Sequence, residues 1–420
     1  MEELPTGPPS LRDVGPESTT FEDADGVMFY SHDTYGLGHL KRTLALADYL
    51  RSRRRLSQLI VTGSPLAHRF RFPRGADYLK LPSVRKIAAG EYESRFLRLP
   101  FEAIRDLRRD VLLSAARHFR PRVLVVDNVP PGLKGELAPT LRYLKETSCR
   151  LVLGLRDVVD EREAVRRAWA SDGSHELLDR VYDRILVYGE RDIYDPVAEY
   201  GFSARAAAKT RFVGYLGRSP GRRDPTDVRR ELDVDDRGFV LVMTGGGEDG
   251  YKLLRAVLDA LRLPRTSVRF ACVLLGGPLM PTHHRHRLLE LARANSVRFI
   301  DFVDDVASYV QAADIVVSMG GYNSVCELLS LGKPALIVPR TFPRREQLIR
   351  AEALDRLGLL RMIDPADVGP HRLLAEMQAL LEQPPQPQRL PMRGLPAAAD
   401  EIEALLREPR ADQVLALASP

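Results

Sequence analysis

VMFYSHDTYGLGHLKRTLALADYL, residues 27–50, and FVLVMTGGGEDGYKLLRAVLDAL, residues 239–261, are built on one plan. Each opens on a short uninterrupted apolar run, passes through a glycine-containing loop, and continues with apolar residues at helical spacing. In the first these are Leu40, Leu44, Ala47 and Leu50, and in the second Leu254, Val257, Leu258 and Leu261. A run apolar on both faces, followed by a helix, is the sequence form of a parallel strand and its crossover. Further runs at 59–62, 123–126, 151–155 and 185–187 follow the first unit, and others beginning at Val268, Val297, Asp314 and Ala335 follow the second. The expectation is an α/β chain of two Rossmann-like doubly wound domains facing across a cleft.

The segment SPGRRDPTD at 219–227 has the composition of an exposed linker and divides the two series. Residues 1–25, rich in proline and acids, read as a disordered lead-in, 26–218 as the first domain, 219–390 as the second, and 391–420 as a last helix and tail. A chain of 420 residues with 44% hydrophobic and 28% charged residues has enough apolar material for such cores, which excludes disorder throughout. No apolar stretch reaches the roughly 18 residues of a membrane span, and the first 25 residues lack the apolar run of a signal peptide, so a cytoplasmic protein is expected. Cys149, Cys272 and Cys326 are odd in number and far apart, which argues against a disulfide framework or metal site. A net charge of +5 on a mixed surface implies no nucleic-acid partner. Residues 85–122 carry ten basic side chains against five acidic ones, readable as a solvated helix surface or as a face for an anionic membrane or acceptor.

Four motifs carry chemistry. HDTYGLGH (32–39) follows the first strand, and its Gly36 and Gly38 allow close backbone approach. His39, at the first helical turn, can take a proton from a hydroxyl near neutral pH, with Asp33 and Asp127 as alternative bases. Gly245, Gly246 and Gly247 precede a helix and can present amides to a phosphate, but the loop matches neither GxxxxGK[ST] nor GxGxxG, which lowers ATPase and dinucleotide readings. SMGGYNSVCE (318–327) places Gly320 and Gly321 before a helix, with Asn323 and Ser324 as caps and Glu327 one turn on as a carboxylate for two adjacent hydroxyls. PRREQ (343–347) offers Glu346 and Gln347 as acceptor and donor for sugar hydroxyls, while Arg344 and Arg345 read as solvated or phosphate-facing.

Together these motifs resemble the GT-B superfamily of nucleotide-sugar glycosyltransferases, in particular its MurG-like branch, which adds N-acetylglucosamine during peptidoglycan synthesis. The resemblance runs over about 27–380 and is stronger in the second half. It implies an acceptor side in the first domain and a nucleotide-sugar side in the second. Gly36, Gly38 and His39 match the family's amino-terminal loop, Gly214 and Arg218 its hinge with a diphosphate-facing arginine, and Gly245–Gly247 its diphosphate loop. Phe302, Val303, Asp304 and Asp305 match its base-proximal segment, residues 320–327 its turn to a ribose-binding glutamate, and Arg345, Glu346 and Gln347 its donor-sugar motif. Asp304 reads as a helix cap and not as part of a metal cluster.

The implied activity is metal-independent inverting transfer, without cofactor, from a UDP-type sugar to an acceptor hydroxyl in envelope, polysaccharide or glycoconjugate synthesis. Eight positions after Glu346 stands Leu354, not the second glutamate of many retaining relatives. Glu346 departs from the family's paired glutamines, which leaves the sugar open, and the acceptor is open among lipid-linked, glycan and small-molecule classes. Asp127–Asn128 and Arg156–Asp157 are the acceptor-site candidates. The competing readings are a nucleotide-sugar hydrolase, a 2-epimerase and a non-catalytic nucleotide-sugar-binding subunit of a polysaccharide assembly complex. Peripheral contact with the inner membrane face remains an expectation of the basic stretch, and oligomeric state is not legible.

Overall fold

A computed structural model describes residues 26–34, 37–88, 90–234, 237–263, 270–383 and 390–408. The disordered lead-in expected at 1–25, Gly36 of the first loop and the tail beyond 408 lie outside the described residues.

The first sheet contains β1 (Gly26–Ser31), β2 (Ser57–Thr62) and β3 (Ala76–Lys80). An antiparallel hairpin, β4 (Val84–Ala88) with β5 (Glu91–Ser94), stands apart from it. The sheet is completed by β6 (Val123–Asp127), β7 (Arg150–Arg156), β8 (Arg184–Tyr188) and β9 (Thr210–Phe212), all parallel, in the order β3-β2-β1-β6-β7-β8-β9. The second sheet has β10 (Gly238–Met243), β11 (Phe270–Leu275), β12 (Arg298–Ile300), β13 (Ile315–Ser318), β14 (Ala335–Ile337) and β15 (Arg361–Met362), in the order β12-β11-β10-β13-β14-β15. Both are doubly wound. In each the order reverses beside the opening strand, at β1/β6 and β10/β13, and the loops leaving those strands diverge to leave a crevice.

The apolar runs of the central strands are buried, with only the ends of β7 and the first residue of β10 partly exposed. Edge strands β3, β9 and β15 are short or polar and carry no such signal, because only one side of an edge strand is paired. The helix Gly38–Arg53 buries Leu40, Leu44, Ala47 and Leu50, and Tyr251–Leu261 buries Leu254, Val257 and Leu258.

The helix Gly394–Arg407 returns to the first domain: Ala398, Ala399, Ile402, Leu405 and Leu406 enter the core that holds Leu40, Leu44 and Leu50. Arg53 fastens it through Asp400 at 2.7 Å and Glu403 at 3.1 Å. The segment 219–227 is mostly exposed, as expected, and one surface expectation in the basic stretch needs correction. The linker at 219–227 is anchored, since Gly221 N–H donates to Gln311, Arg222 N–H to Asp305 and Arg223 N–H to Ser308, and Pro225–Leu232 is helical. Within the basic stretch, Arg108 is not solvated: it is fully buried in the core and pairs with Glu136 at 2.7 Å, because the helix Phe101–Phe119 turns Ile104, Arg108, Leu112 and Ala116 inward.

Candidate active site

His39 and Asp127 lie 88 positions apart but leave adjacent strands at the first switch point, and their side chains meet. His39 Nδ1 lies 2.5 Å from Asp127 Oδ2, and Arg42, one turn along the helix, donates to both carboxylate oxygens from Nε (3.0 Å) and Nη2 (2.7 Å). A carboxylate accepting from Nδ1–H holds the imidazole in the tautomer whose Nε2 lone pair is free. Burial pushes Asp127 upward, but Arg42 and His39 outweigh it and hold the carboxyl below its usual range, so it stays ionised. Burial lowers His39, and the hydrogen bond and charge of Asp127 only partly oppose this, which leaves the ring neutral at pH 7.

The geometry separates the three candidate bases. Asp33, 1% exposed with φ +43°, accepts from Ser31 Oγ (2.5 Å), Thr62 Oγ1 (2.7 Å) and Leu40 N–H (2.9 Å). These three hydrogen bonds fix the loop to the helix. Asp127 contacts the His39 ring and Arg42, and His39 faces the cavity. Arg42 escaped the sequence reading; its only signal was a cation on the buried stripe of an amphipathic helix.

The cavity beside His39 is lined from both domains: Gly38, His39 and Lys41 face Gly245, Gly246, Gly247, Gly321, Asn323 and Ser324. Gly245 and Gly247 have φ of +66° and +91°, and a Cβ on Gly247 would overlap the Gly276 carbonyl oxygen. Gly321 is the N-cap of Tyr322–Ser330 and no side chain caps it, so the helix amides stay available to an anion. Asn323 and Ser324 are therefore first-turn residues and not the caps expected. Asn323 bridges instead, accepting from Arg218 Nη2 at 2.8 Å and donating to Gly38 O at 3.0 Å. Gly320, φ +74°, packs under the turn with no room for a Cβ, which would come 2.7 Å from Ile337.

A second cavity, of about 420 Å³, adjoins the first and shares Leu37, Lys41, Gly245 and Ser324 with it. Phe302 and Val303 line it with Met243 and Leu275, and Glu327 stands at its wall, 3.8 Å from Lys41 of the other domain. These apolar side chains stand beside the Glu327 carboxylate in a cavity whose lining also holds Arg69, Arg71 and Arg222. The cap of Val306–Ala312 is Asp305, not Asp304: Asp305 accepts from Ser308 N–H, whereas Asp304 is exposed and pairs with Arg222 at 2.7 Å. No group of three or more metal-ligating side chains occurs among the described residues.

Glu346 and Gln347 open the helix Glu346–Arg356 at the inner end of the His39 cavity. Arg340 donates to Glu346 Oε1 at 2.8 Å, Arg156 of the first domain lies 3.7 Å from the same oxygen, and Gln347 Oε1 accepts from Arg340 N–H at 3.2 Å. Burial pushes Glu346 upward, yet Arg156, Arg340, Arg350 and Arg344 hold its carboxyl below the ordinary range. Arg344 and Arg345 do not face phosphate. Arg345 N–H donates to Asp160 at 2.9 Å and its guanidinium pairs with Glu161 at 3.0 Å, while Arg344 lies 3.8 Å from Asp160. Asp157 is likewise no acceptor contact, being locked to Arg350 across the domains at 2.7 Å with Tyr215 OH donating at 2.9 Å. Asn128 does line a further cavity of about 530 Å³ in the first domain, together with His32, Lys86, Tyr92, Lys134 and Trp169. His32 touches His39 there, ring centroids 4.2 Å apart.

Two facing doubly wound domains with a glycine-lined anion site between them define the GT-B class of glycosyltransferases. Residues 240–402 match the glycosyltransferase family 28 C-terminal domain. The chain is 25% identical over 351 residues, 82% of itself and 85% of the relative, to the UDP-N-acetylglucosamine--N-acetylmuramyl-(pentapeptide) pyrophosphoryl-undecaprenol N-acetylglucosamine transferase of Paenarthrobacter aurescens. The enzyme of the same name from Corynebacterium efficiens is 30% identical over 151 residues, 36% of this chain and 39% of that one. In fold it is similar to the calicheamicin glycosyltransferase CalG4 (TM-score 0.58, 18% identity, 92% of this chain and 99% of that one). It is also similar to MurG of Acinetobacter baumannii (TM-score 0.53, 14% identity, 90% and 99%). The chain thus has the GT-B fold, matches the C-terminal domain of glycosyltransferase family 28 over residues 240–402, and is similar to MurG-like transferases over most of its length.

Proposed function

We propose that this enzyme transfers a sugar from a uridine-diphosphate donor to an acceptor hydroxyl with inversion, in cell-envelope synthesis. The observation that carries the reading is His39, fixed by Asp127 and Arg42, standing between a nucleotide-shaped cavity in the second domain and an open cavity in the first. The base stacks in the slot of Phe302 and Val303, Glu327 accepts from the ribose hydroxyls, and the diphosphate lies on the amides of the 245–247 loop and the uncapped helix beginning at Tyr322. Arg218, through Asn323, borders the same anion. Glu346 and Gln347 take the sugar hydroxyls.

His39 Nε2 accepts the proton of the acceptor hydroxyl as its oxygen attacks the anomeric carbon from the face opposite the diphosphate. The oxygen–carbon bond forms as the bond to the β-phosphate breaks, and the amides and helix terminus stabilise the charge that develops there. Water is a poorer partner for this arrangement, because the cavity of about 530 Å³ beside His39 is far larger than hydrolysis requires.

The relatives act on a pyrophosphoryl-undecaprenol acceptor, as their name states, and the acceptor cavity here suits an amphiphile with an anionic group. Lys86 and Lys134 line it, and Ile87, Phe96, Leu97 and Leu99 expose large apolar side chains in a stretch of sequence that also holds Arg85, Arg95 and Arg98. We take this face to rest on an anionic membrane surface. The test is twofold. Wild type and Glu327→Ala are titrated with UDP, where binding lost in the variant supports the donor site and no binding by wild type refutes it. UDP release is then followed with and without polyprenyl-phosphate-linked saccharides, where release independent of acceptor refutes transfer.

A further inference from the structure

Arg156 and Asp157, consecutive at the end of β7, reach across the cleft to Glu346 and Arg350, one helical turn apart on a single helix of the second domain. The two contacts have opposite charge order and opposite character. Asp157–Arg350 is saturated: the guanidinium donates to both carboxylate oxygens at 2.7 and 2.8 Å and to Gly320 O at 3.2 Å, and the carboxylate also accepts from Tyr215 OH and Val158 N–H. Such a pair sets the register of the two domains. Arg156–Glu346 is open. Its ionic contact is 3.7 Å long, Arg156 Nε and Glu346 Oε2 are both buried without a hydrogen-bond partner, and both residues line the cavity beside His39.

Arg156 Nη2 donates to Val159 O at 3.1 Å and Glu346 Oε1 accepts from Arg340 at 2.8 Å, so each side chain keeps one buried polar atom open, which is costly unless a ligand satisfies it. Given the donor site proposed above, we infer that Arg156 is a sugar-reading residue contributed by the opposite domain. One hydroxyl of the transferred sugar donates to Glu346 Oε2 while its oxygen accepts from Arg156 Nε–H. The pair specifies a neutral sugar with a free hydroxyl at that position. A sugar with a carboxylate at that position is rejected because the charge would meet Glu346, and a group unable to donate leaves Glu346 Oε2 unsatisfied. Since Glu346 and Arg156 belong to different domains, the sugar, unlike the nucleotide, ties the closed cleft together at this corner.

The experiment is calorimetric titration of the full chain with UDP, UDP-glucose, UDP-galactose, UDP-N-acetylglucosamine and UDP-glucuronate, on wild type, Arg156→Met and Arg156→Lys. A lost charge-assisted hydrogen bond lowers affinity about tenfold or more. At least one neutral UDP-sugar should bind wild type more tightly than UDP-glucuronate by about that factor, and both variants should lose that advantage while UDP affinity stays within about twofold. Arg156→Lys keeps the charge and tests the geometry should Arg156→Met fold poorly. Equal loss for UDP and UDP-sugar in both variants would make Arg156 only a register contact and overturn the inference. So would unchanged sugar affinity, or UDP-glucuronate as the preferred ligand. No UDP binding by wild type would instead remove the donor reading on which the inference rests.

Discussion

Replacing Asp127 by Asn tests the catalytic geometry most directly, because it preserves shape and removes the charge. Asp127 accepts three hydrogen bonds, from His39 Nδ1 at 2.5 Å and from Arg42 Nε and Nη2 at 3.0 and 2.7 Å. An amide has one acceptor oxygen, and Arg42, an always-charged and buried donor, will claim it. The amide nitrogen is then left facing His39 Nδ1 and can only donate, which drives the ring proton to Nε2 and removes the lone pair that takes the acceptor proton. A general base contributes about 10²–10⁴ in rate, so kcat/KM should fall by about 10²–10³, or roughly 2.7–4.1 kcal/mol. The pH profile carries a second sign. Burial already lowers His39, and Asp127 is what opposes it, so the acid limb of wild type should lie below the ordinary histidine value of about 6.5 and move further down in the variant. Steady-state UDP release across pH, with UDP affinity as control, measures both. A plateau within about threefold of wild type, or a limb that moves up, would refute the assignment of His39 as a base positioned by Asp127.

Gly247→Ala should cost UDP more than about tenfold in affinity, because the residue sits at φ +91° with its would-be Cβ against the Gly276 carbonyl, and refolding the loop withdraws its amides; calorimetry reads this. Arg350→Met leaves Asp157 charged and buried at the domain interface, and should destabilise by about 3–5 kcal/mol, visible as a melting point lowered by several degrees. Burial holds His32 far below its ordinary value, ahead of repulsion from His39 and the nearby arginines, so the unfolded chain takes that proton first as pH falls. Stability should therefore be full above about pH 6.5 and decline below it, and His32→Gln should flatten the slope of melting temperature against pH in that window. Phe96→Glu, at a side chain 70% exposed, should reduce co-sedimentation with phosphatidylglycerol vesicles while leaving UDP affinity unchanged.

The two strand–loop–helix units at 27–50 and 239–261 were legible because a strand buried on both faces must be apolar throughout, and a helix resting on it must be apolar at every third or fourth residue. The glycine loop at 245–247 and the turn at 320–321 were legible for a related reason: close backbone approach tolerates no side chain. Local sequence thus determined the elements, their parallel order and the anion-binding loops. It did not determine partners. Only the switch-point geometry brought Asp127 to His39 and tied Asp33 to Leu40, and only domain closure set Arg345 against Glu161 and Asp157 against Arg350. Charged side chains have no periodic signature, so their pairings over 88 and 193 positions are decided by tertiary contact. The same is true of Arg42, Arg108 and Arg156, whose partners no local pattern announces. Burial and the carboxylate each one meets make them a positioning group, a core ion pair and a proposed reader of the sugar.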